Sequence, residues 1–389
     1  MHLKQIEPTL RTWIEIDKKA IEHNIKAFRA LISKNVQLMA VVKSNAYGHN
    51  IHSFSKFALA AGADCLGVDS ITEAIPLRRE GVEQQILVLG YTLPENYSLA
   101  RAAGVSITIS SIEQLRALCA TDFSRSWQFD PVHIHLKVDT GMCRQGLLYE
   151  SDNVEALELI QQGIRNRKFV LEGLYTHLAS AKALGVSEET ENQLEAFQLW
   201  RKLFGAHNVS IPIVHAAASA GTLLYPNSHF DMVRIGMGCY GYFPSTDIAQ
   251  HLRNEVLLLP VLSWHSIVSE TKRVHAGMKV GYDGTYTLQR ESALAVVPIG
   301  YWHGIGRAFS NNGYVLINGQ CARILGRVSM DMITVDVTDI DAVSMGTKVT
   351  LLGRNGSSII SAEELGRLSN TTAYEILTRL NPLIERVIV

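Results

Sequence analysis

Short apolar stretches alternate with amphipathic ones over most of the first 242 residues. Eight stretches predict β-strands: Val36–Lys43, Asp64–Asp69, Gln85–Gly90, Val105–Ile109, Val132–Val138, Phe169–His177, Ile211–His215 and Asp231–Ile235. Between them, apolar residues recur at helical spacing, as in Val154, Leu157, Ile160 and Ile164, and in Leu194, Phe197 and Trp200. Eight such units predict an α/β fold and favour a (β/α)8 barrel of the TIM type over a doubly wound open sheet.

The pattern changes after residue 242. Runs of β character follow at Leu262–Val268, Ala293–Ile299, Tyr314–Ile317 and Met332–Val337, and helical spacing returns only near the end of the chain. We therefore predict a barrel domain at 12–242 and a mostly β C-terminal domain at 243–389, with residues 1–11 packing on the second. The length of 389 residues accommodates both, because such a barrel takes about 250 residues.

The charges nearly cancel, with 36 Lys and Arg against 37 Asp and Glu. Since no long basic run occurs, neither nucleic acid nor a membrane surface is predicted as a partner, and a small neutral or zwitterionic substrate fits better. The charged first seven residues do not resemble a signal peptide, and no apolar run reaches the ~18 residues of a membrane span. The sequence therefore predicts a cytoplasmic protein.

The five cysteines are scattered and lack Cys-x-x-Cys spacing. This distribution argues against a disulfide framework and against a structural zinc site. We predict free thiols and no metal centre.

Side chains capable of catalysis occur at the carboxyl ends of the predicted strands, where barrel active sites lie. They are Lys43, Lys137, Arg144, His177, His215 and Arg234. Each alone is compatible with an ordinary role, such as a surface lysine or a core histidine, but together they predict a site. Lys43 ends an apolar strand before a turn rich in Asn and Gly, which is how a lysine that forms a Schiff base with an aldehyde cofactor would be presented.

The fifth predicted strand has one apolar face and one polar face, the polar one formed by His133, His135, Lys137 and Asp139. A buried polar face costs free energy unless its groups are paired. Lys137 therefore either pairs with Asp139 or is modified.

Two glycine-containing segments follow the seventh and eighth strands, Ser219-Ala220-Gly221 and Gly236-Met237-Gly238. Barrels often bind phosphate on backbone N–H groups at these positions, and glycine allows an anion to approach closely. The segments predict a phosphate site, although they are equally compatible with tight turns.

Four motifs resemble the signatures of the alanine racemase family. They are Val42-Lys43-Ser44-Asn45-Ala46-Tyr47-Gly48-His49, Lys137-Val138-Asp139-Thr140-Gly141-Met142, Pro298-Ile299-Gly300-Tyr301 and Gly326-Arg327-Val328-Ser329-Met330-Asp331. The resemblance covers nearly the whole chain. It implies a barrel that binds pyridoxal phosphate, a C-terminal β domain, an amino-acid substrate and a homodimer with shared active sites.

The resemblance also implies roles for individual residues. Lys43 would hold the cofactor and act as the base on one face of the substrate, and Tyr282 of the partner subunit would act on the other face. Arg234 would face the pyridine nitrogen, which stays unprotonated because arginine keeps its proton. His177 and His215 match histidines near the ring, and we expect their network with Arg234 to supply positive charge that lowers the pKa of the catalytic tyrosine.

The remaining matches concern the phosphate and the substrate. The phosphate-contacting positions are matched by Tyr47, Ser219, Gly236, Met237 and Tyr374. Arg144 matches the arginine near the cofactor phenolic oxygen and the substrate carboxylate. Met330 would donate its backbone N–H to that carboxylate from the partner subunit, and Tyr301 matches a residue at the substrate entrance. Lys137 matches a lysine that is carbamylated in many family members.

The implied function is interconversion of L-alanine and D-alanine, with D-alanine supplied for peptidoglycan. Trp302 and His303 stand where the family commonly has Ala and Asp, and Cys143 and Ala218 replace a common Gly and Asn. Alternatives are therefore a racemase of the same fold acting on serine or a basic amino acid, a fold-related decarboxylase, and a protein that binds pyridoxal phosphate without catalysis.

Overall fold

The structure is a computed structural model that describes residues 9–123, 130–185 and 187–389. The chain forms two compact units. The barrel unit comprises Lys19–Ala46 and Ile51–Leu259, and the β unit comprises the chain up to Lys18, Tyr47–Asn50 and Pro260–Val389.

The first strand, β1 (Thr12–Ile16), belongs to the β unit, and the next eight form the barrel unit. These are β2 (Gln37–Val41), β3 (Cys65–Val68), β4 (Ile86–Val88), β5 (Ser106–Ile109), β6 (Val132–Lys137), β7 (Phe169–Tyr175), β8 (Ile213–His215) and β9 (Met232–Ile235). All are parallel, in the order β8-β7-β6-β5-β4-β3-β2-β9. Since the Arg234 N–H donates to the Ala217 oxygen at 3.0 Å, the two edges meet and the sheet is nearly closed. The predicted barrel is confirmed, and the open sheet is excluded.

Nine helices accompany these strands within the described residues. They are α1 (Lys18–Leu31), α2 (Ile51–Ala60), α3 (Ile71–Arg79), α4 (Tyr97–Ala102), α5 (Ile112–Ala120), α6 (Tyr149–Arg165), α7 (Glu188–Ala206), α8 (Ser219–Leu224) and α9 (Thr246–His251). Helix α7 buries Leu194, Phe197 and Trp200, as their spacing predicts.

The predicted apolar stripe of α6 is partly wrong. Val154 is 66% exposed and Ile164 is 39% exposed, whereas Ala156 and Gly163 are buried. A Cβ at Gly163 would overlap the Phe169 ring, so this face of the helix is set by the close approach of β7. The spacing of large apolar residues in the sequence does not indicate a contact made by a glycine.

Among the residues that the structure describes, the β unit contains β1 and eleven further strands. They are β10 (Leu262–Ile267), β11 (Glu270–Val274), β12 (Lys279–Val280), β13 (Tyr286–Thr287), β14 (Ser292–Val297), β15 (Tyr314–Ile317), β16 (Gln320–Leu325), β17 (Ile333–Asp336), β18 (Lys348–Asn355), β19 (Ser358–Ile360) and β20 (Glu385–Ile388). The main sheet has the order β11-β14-β17-β16-β15-β18-β10-β1-β20, β12 and β13 form a separate hairpin, and two helices, α10 (Ala362–Leu368) and α11 (Ala373–Thr378), precede β20. A mostly β C-terminal unit was predicted and is present.

The two units differ from the predicted ranges at both borders. β1 pairs with β10 and β20, so residues 12–16 belong to the β sheet and not to the barrel. In the opposite sense, α9 lies in the barrel unit although it follows residue 242. The Ser266 Oγ donates to the Arg11 oxygen at 2.8 Å, which fits the expected packing of the N-terminal segment, while residues 1–8 lie outside the described residues.

No helix in the described ranges is long and apolar enough to cross a membrane. All five cysteines are free thiols, as predicted.

Candidate active site

Lys43 follows the carboxyl end of β2 and begins a left-handed turn. Ser44, Asn45, Ala46 and Tyr47 have φ angles of 55, 56, 52 and 51°. This conformation costs an L-residue about 1–2 kcal/mol, so four in succession require support. Asn45 supplies part of it, because its side-chain oxygen accepts the N–H of Ile51 at 2.9 Å. The turn fixes the backbone directly behind Lys43, and its strain is typical of a functional site.

Arg234 on β9 is buried and held on several sides. Its Nη1 lies 2.8 Å from Nδ1 of His215, and its Nη2 donates to the Thr176 and Ala216 oxygens at 2.8 and 3.0 Å. Nη2 also lies 3.2 Å from Nδ1 of His177. Burial lowers the pKa of Arg234 to about 10, so it stays charged at neutral pH. Within the described ranges no carboxylate forms an ion pair with it.

The two histidines beside Arg234 are neutral. Burial and the charge of Arg234 lower the pKa of His177 to about 3 and that of His215 well below its usual value. The two histidines therefore add no positive charge of their own, and the effect of their network with Arg234 on Tyr282 stays a prediction. They accept hydrogen bonds, and the charge of this network resides on the arginine.

Four cations act on the position of His177. The positive charges of Arg234, Arg144, Lys137 and Lys43 all contribute to lowering its pKa. Arg234 lies beside the ring, and Lys137 and Arg234 both lie near the Tyr175 ring, 5.6 and 5.1 Å from its centroid. Asp69 lies 3.7 Å from Lys43 Nζ and offsets little of this charge, because both side chains are substantially exposed. A convergence of cations at the carboxyl ends of barrel strands attracts an anionic ligand.

Lys137 is buried and is not ion-paired with Asp139. Its Nζ donates to Gln145 Oε1 at 3.0 Å and lies 5.6 Å from the centroid of the Tyr175 ring. Burial, with the charges of Arg144 and Arg234, lowers the pKa of Lys137 to about 8. Of the two predicted alternatives, direct pairing with Asp139 is wrong, and modification stays a prediction.

Asp139 instead organises the loop that carries Arg144. Its carboxylate accepts four backbone N–H groups, those of Gly141, Met142, Cys143 and Arg144, at 2.9 to 3.1 Å. Cys143 has a φ of 54°, the left-handed region in which glycine is at ease. The bond to Asp139 helps to hold cysteine in that conformation.

The two segments proposed to bind phosphate lie together. Ser219 begins α8, and its Oγ accepts the N–H of Gly236 at 3.1 Å. Met237 then begins a 3₁₀ helix, Met237–Tyr240. The juxtaposition of these turns at the carboxyl ends of β8 and β9 suits a phosphate group, whose oxygens bind N–H groups of this kind.

The other predicted residues lie in the β unit. The rings of Tyr47 and Tyr374 are 6.3 Å apart between centroids, so these two residues are neighbours. Tyr282 occupies the tip of the β12–β13 hairpin and is 69% exposed. Tyr301 and Met330 lie on adjacent segments, since the Tyr301 N–H donates to the Ser329 oxygen at 3.0 Å.

His303 stabilises a turn. It is buried, and its ring Nδ1 accepts the backbone N–H of Gly300 at 3.1 Å. The backbone N–H of His303 donates to the Gly300 oxygen at 2.9 Å. Trp302, in contrast, is 55% exposed. The structure therefore weakens the alternative in which His303 binds the side chain of a larger substrate.

Sequence reasoning missed Tyr175, which ends β7. Its ring stacks on His215 at 4.6 Å, with an interplanar angle of 8°, and Arg234 lies 5.1 Å from its centroid. Its hydroxyl is 2.9 Å from Thr108 Oγ1. The only signal was its position two residues before His177, and a tyrosine there resembles any other core aromatic residue.

Because the two histidines are neutral in the folded protein, we expect the free energy of unfolding to fall as the pH is lowered. The unfolded chain takes up protons below a pKa of about 6.5, whereas folded His177 and His215 resist protonation, so lowering the pH favours unfolding. His177 should remove about 2 kcal/mol between pH 7 and pH 5, and His215 acts in the same direction. Urea unfolding at both values tests this, and His177→Asn should reduce the difference while His251→Asn, on the exposed end of α9, should not. An unfolding free energy that stays constant over this range would contradict it.

Comparison with known proteins links both halves of the chain to one family. A family model described as "Alanine racemase, N-terminal domain" matches residues 16–244, and one described as "Alanine racemase, C-terminal domain" matches residues 261–388. Alanine racemase from Nostoc sp. is 36% identical over 381 residues, which cover 97% of this chain and 95% of that protein.

Two solved structures are also similar. The alanine racemase of Bacillus anthracis, with bound L-Ala-P, has a TM-score of 0.90 and 34% identity, covering 98% of this chain and 96% of that one. A histidine racemase from Leuconostoc mesenteroides has a TM-score of 0.87 and 27% identity, covering 98% and 99%. Substrate choice therefore differs among proteins of this fold.

Proposed function

The chain belongs to the alanine racemase family and is an isomerase, and we propose that it interconverts L-alanine and D-alanine by a two-base mechanism with pyridoxal phosphate. The observation that carries the proposal is the buried Arg234 beside His177 and His215, with Lys137 at the same Tyr175 ring and Lys43 at the end of the neighbouring strand β2. Cations grouped in this way attract anionic groups, such as the phosphate of a cofactor and the carboxylate of an amino acid.

The donor set fits pyridoxal phosphate. An amine at Lys43 suits its aldehyde, the buried guanidinium of Arg234 suits its ring nitrogen, and the adjoining turns at Ser219, Gly236 and Met237 suit its phosphate. Tyr47 and Tyr374 are the further phosphate contacts that we propose. When bound, this cofactor acidifies the Cα–H bond of an amino acid by accepting its electron pair.

Inversion at Cα needs one proton carrier on each face. Lys43 Nζ takes or returns the proton on one face, and the hydroxyl of Tyr282 from a second subunit does so on the other. Tyr282 is exposed at a hairpin tip, which supports a role in the active site of a second subunit. Arg234 remains a hydrogen-bond donor throughout, since it keeps its proton at neutral pH.

A homodimer follows from this assignment, because each site takes Tyr282 from the other chain. Exposed apolar residues of the β unit support it: Tyr301, Trp302, Met330 and Met332 are 44 to 55% exposed and lie on two hydrogen-bonded segments. Contiguous exposed apolar surface of this kind is typical of protein contacts.

For the substrate, we assign the carboxylate to Arg144 and to the backbone N–H of the partner subunit's Met330. In the described part of the chain this N–H donates to no group. Tyr301 and the exposed Trp302 would border the entrance. Bulk at that position favours a small side chain such as that of alanine.

We further propose that Lys137 is carbamylated. A pKa of about 8 leaves a share of the amine neutral, and a neutral amine adds to carbon dioxide, forming an N–C bond and releasing one proton. The resulting anion would orient Arg144.

With ¹³C-bicarbonate, a carbamate signal is therefore expected in the wild type and in Lys56→Ala but not in Lys137→Ala. Loss of the anion should raise KM for alanine by about 10-fold, or 1.4 kcal/mol. A missing signal in the wild type would remove the idea.

Chiral analysis tests the function directly. Purified protein with pyridoxal phosphate is incubated separately with L-alanine, L-serine, L-lysine and L-histidine. We expect alanine to reach an equal mixture of enantiomers fastest. Preference for another amino acid would reassign the substrate, and inversion of none would favour a binding protein without catalysis.

The biological role that we propose is supply of D-alanine for peptidoglycan in the cytoplasm. The protein should then restore growth of a bacterial strain that requires added D-alanine. A Lys43→Ala variant should fail to do so at equal expression.

A further inference from the structure

A hydrogen-bonded chain runs from Arg234 to a carboxylate that the site does not otherwise use. Arg234 Nη1 lies 2.8 Å from His215 Nδ1, and His215 Nε2 lies 2.9 Å from His135 Nδ1. His135 Nε2 then lies 3.3 Å from Glu172 Oε2. Arg234 is 3% exposed and both histidines are fully buried, whereas the Glu172 side chain is 22% exposed.

The arginine sets the direction of every bond in this chain. A guanidinium only donates, so Nδ1 of His215 must accept, and its proton therefore lies on Nε2. That proton is donated to Nδ1 of His135, which places the His135 proton on Nε2 as well. The chain consequently needs an acceptor beyond His135, and a carboxylate provides the strongest one.

The fold is adapted to this path. The β6–β7 pairing shifts register between Ile134 and His135, a type of irregularity that redirects side chains. A Cβ at Gly173 would overlap the His135 ring, so only glycine next to Glu172 leaves room for the ring. The backbone of β7 thus supplies both the passage and the acceptor.

Glu172 is held as an anion. Burial alone would raise its pKa, but hydrogen bonds from His133, His135 and Ser106 outweigh burial and keep the pKa well below its usual range. Ser106 Oγ donates to Oε2 at 2.5 Å, and His133 Nδ1 lies 3.4 Å from Oε1. The anion lies on β7 with partners at the amino ends of β5 and β6, away from the strand ends that carry the catalytic groups.

We propose that Glu172 is a positioning residue for Arg234: by ending the chain, it fixes the proton positions of His135 and His215 and keeps the arginine oriented as a donor. It also compensates the buried arginine charge through two neutral rings, since Arg234 has no ion-pair partner in the described ranges. The consequence for catalysis rests on the proposed function, because it assumes that Arg234 faces the cofactor ring nitrogen.

The proton positions can be measured without reference to activity. In protein labelled with ¹⁵N-histidine and loaded with cofactor, long-range ¹H–¹⁵N spectra distinguish the two neutral forms of each ring. His→Asn replacements identify the signals of His135 and His215. We expect both rings to carry the proton on Nε2 at neutral pH, and a proton on Nδ1 of either ring would overturn the proposal.

Substitutions at Glu172 give the second test. Glu172→Leu removes the acceptor and should change the His135 signal and lower kcat by about 10-fold, the scale on which partners of functional side chains act. Glu172→Gln keeps an acceptor oxygen and should preserve both. If Glu172→Leu folds with unchanged histidine signals, the proposal fails.

Gln85 is the competing acceptor, because its amide nitrogen lies 3.2 Å from His135 Nε2 and a rotated amide would present its oxygen. A Gln85→Ala variant should leave the histidine signals unchanged. If these signals change in Gln85→Ala and not in Glu172→Leu, the acceptor at the end of the hydrogen-bonded chain is Gln85. Because the spectra do not depend on turnover, a wild type that racemises no amino acid would overturn the proposed function but not the proton positions.

Discussion

Replacing Lys43 by alanine is expected to lower kcat for alanine racemisation by about 10⁴-fold or more. In the proposed mechanism, the change removes both the amine that binds the cofactor aldehyde and the proton carrier on one face of the substrate. Lys34→Ala, an exposed lysine between α1 and β2, is the matched control and should keep full activity.

Borohydride reduction followed by peptide mass analysis gives an independent measurement. In the wild type, the reduced cofactor should be found on the peptide that contains Lys43. Attachment at another lysine, or full turnover by Lys43→Ala, would contradict the assignment.

The second large effect is expected at Tyr282. Tyr282→Phe should lower the rate of racemisation in both directions by about 10³-fold. The change removes one proposed proton carrier but leaves Lys43, the proposed point of cofactor attachment, in place. Since Lys43 still removes and returns a proton on its own face, one enantiomer should continue to exchange its Cα hydrogen in D₂O. Tyr286→Phe, on the same hairpin, is the matched control. Unchanged turnover in Tyr282→Phe would exclude its catalytic role.

Mixing the two inactive variants tests whether the site is shared. A dimer of one Lys43→Ala chain and one Tyr282→Phe chain has one intact site if each site takes Tyr282 from the partner. Random reassociation of equal amounts makes half of the dimers mixed, so about a quarter of the wild-type activity should return. If both residues act within one chain, no activity returns.

The barrel was predictable because its strands leave a strong pattern. β3, β4 and β5 are buried along their whole length, and strands covered on both faces read as continuous apolar runs. The start of the barrel domain, predicted at residue 12, was not predictable. β1 resembles any short strand, and its partners β10 and β20 lie some 250 and some 370 residues away along the chain. Local pattern contains no information about pairing over such distances.

In the site, residues within motifs were easier to predict than their surroundings. Lys43 and Arg234 stand out in sequence, but nothing in Ser44 or Ala46 indicates a left-handed turn. Likewise, the neutral state of His215 depends on burial and on Arg234, which only the folded chain brings together. Glu172 lies on a strand where a carboxylate resembles an ordinary residue facing solvent.

The position of β1 between β10 and β20 has a consequence for synthesis on the ribosome. β1 ends at Ile16 and β10 begins at Leu262, a separation of 262 − 16 = 246 residues. At about 5–20 residues per second, β1 waits roughly 10–50 s before its first partner strand is made. Nascent chains arrested before residue 262 should therefore leave residues 12–16 open to protease, and release of the full chain should protect them.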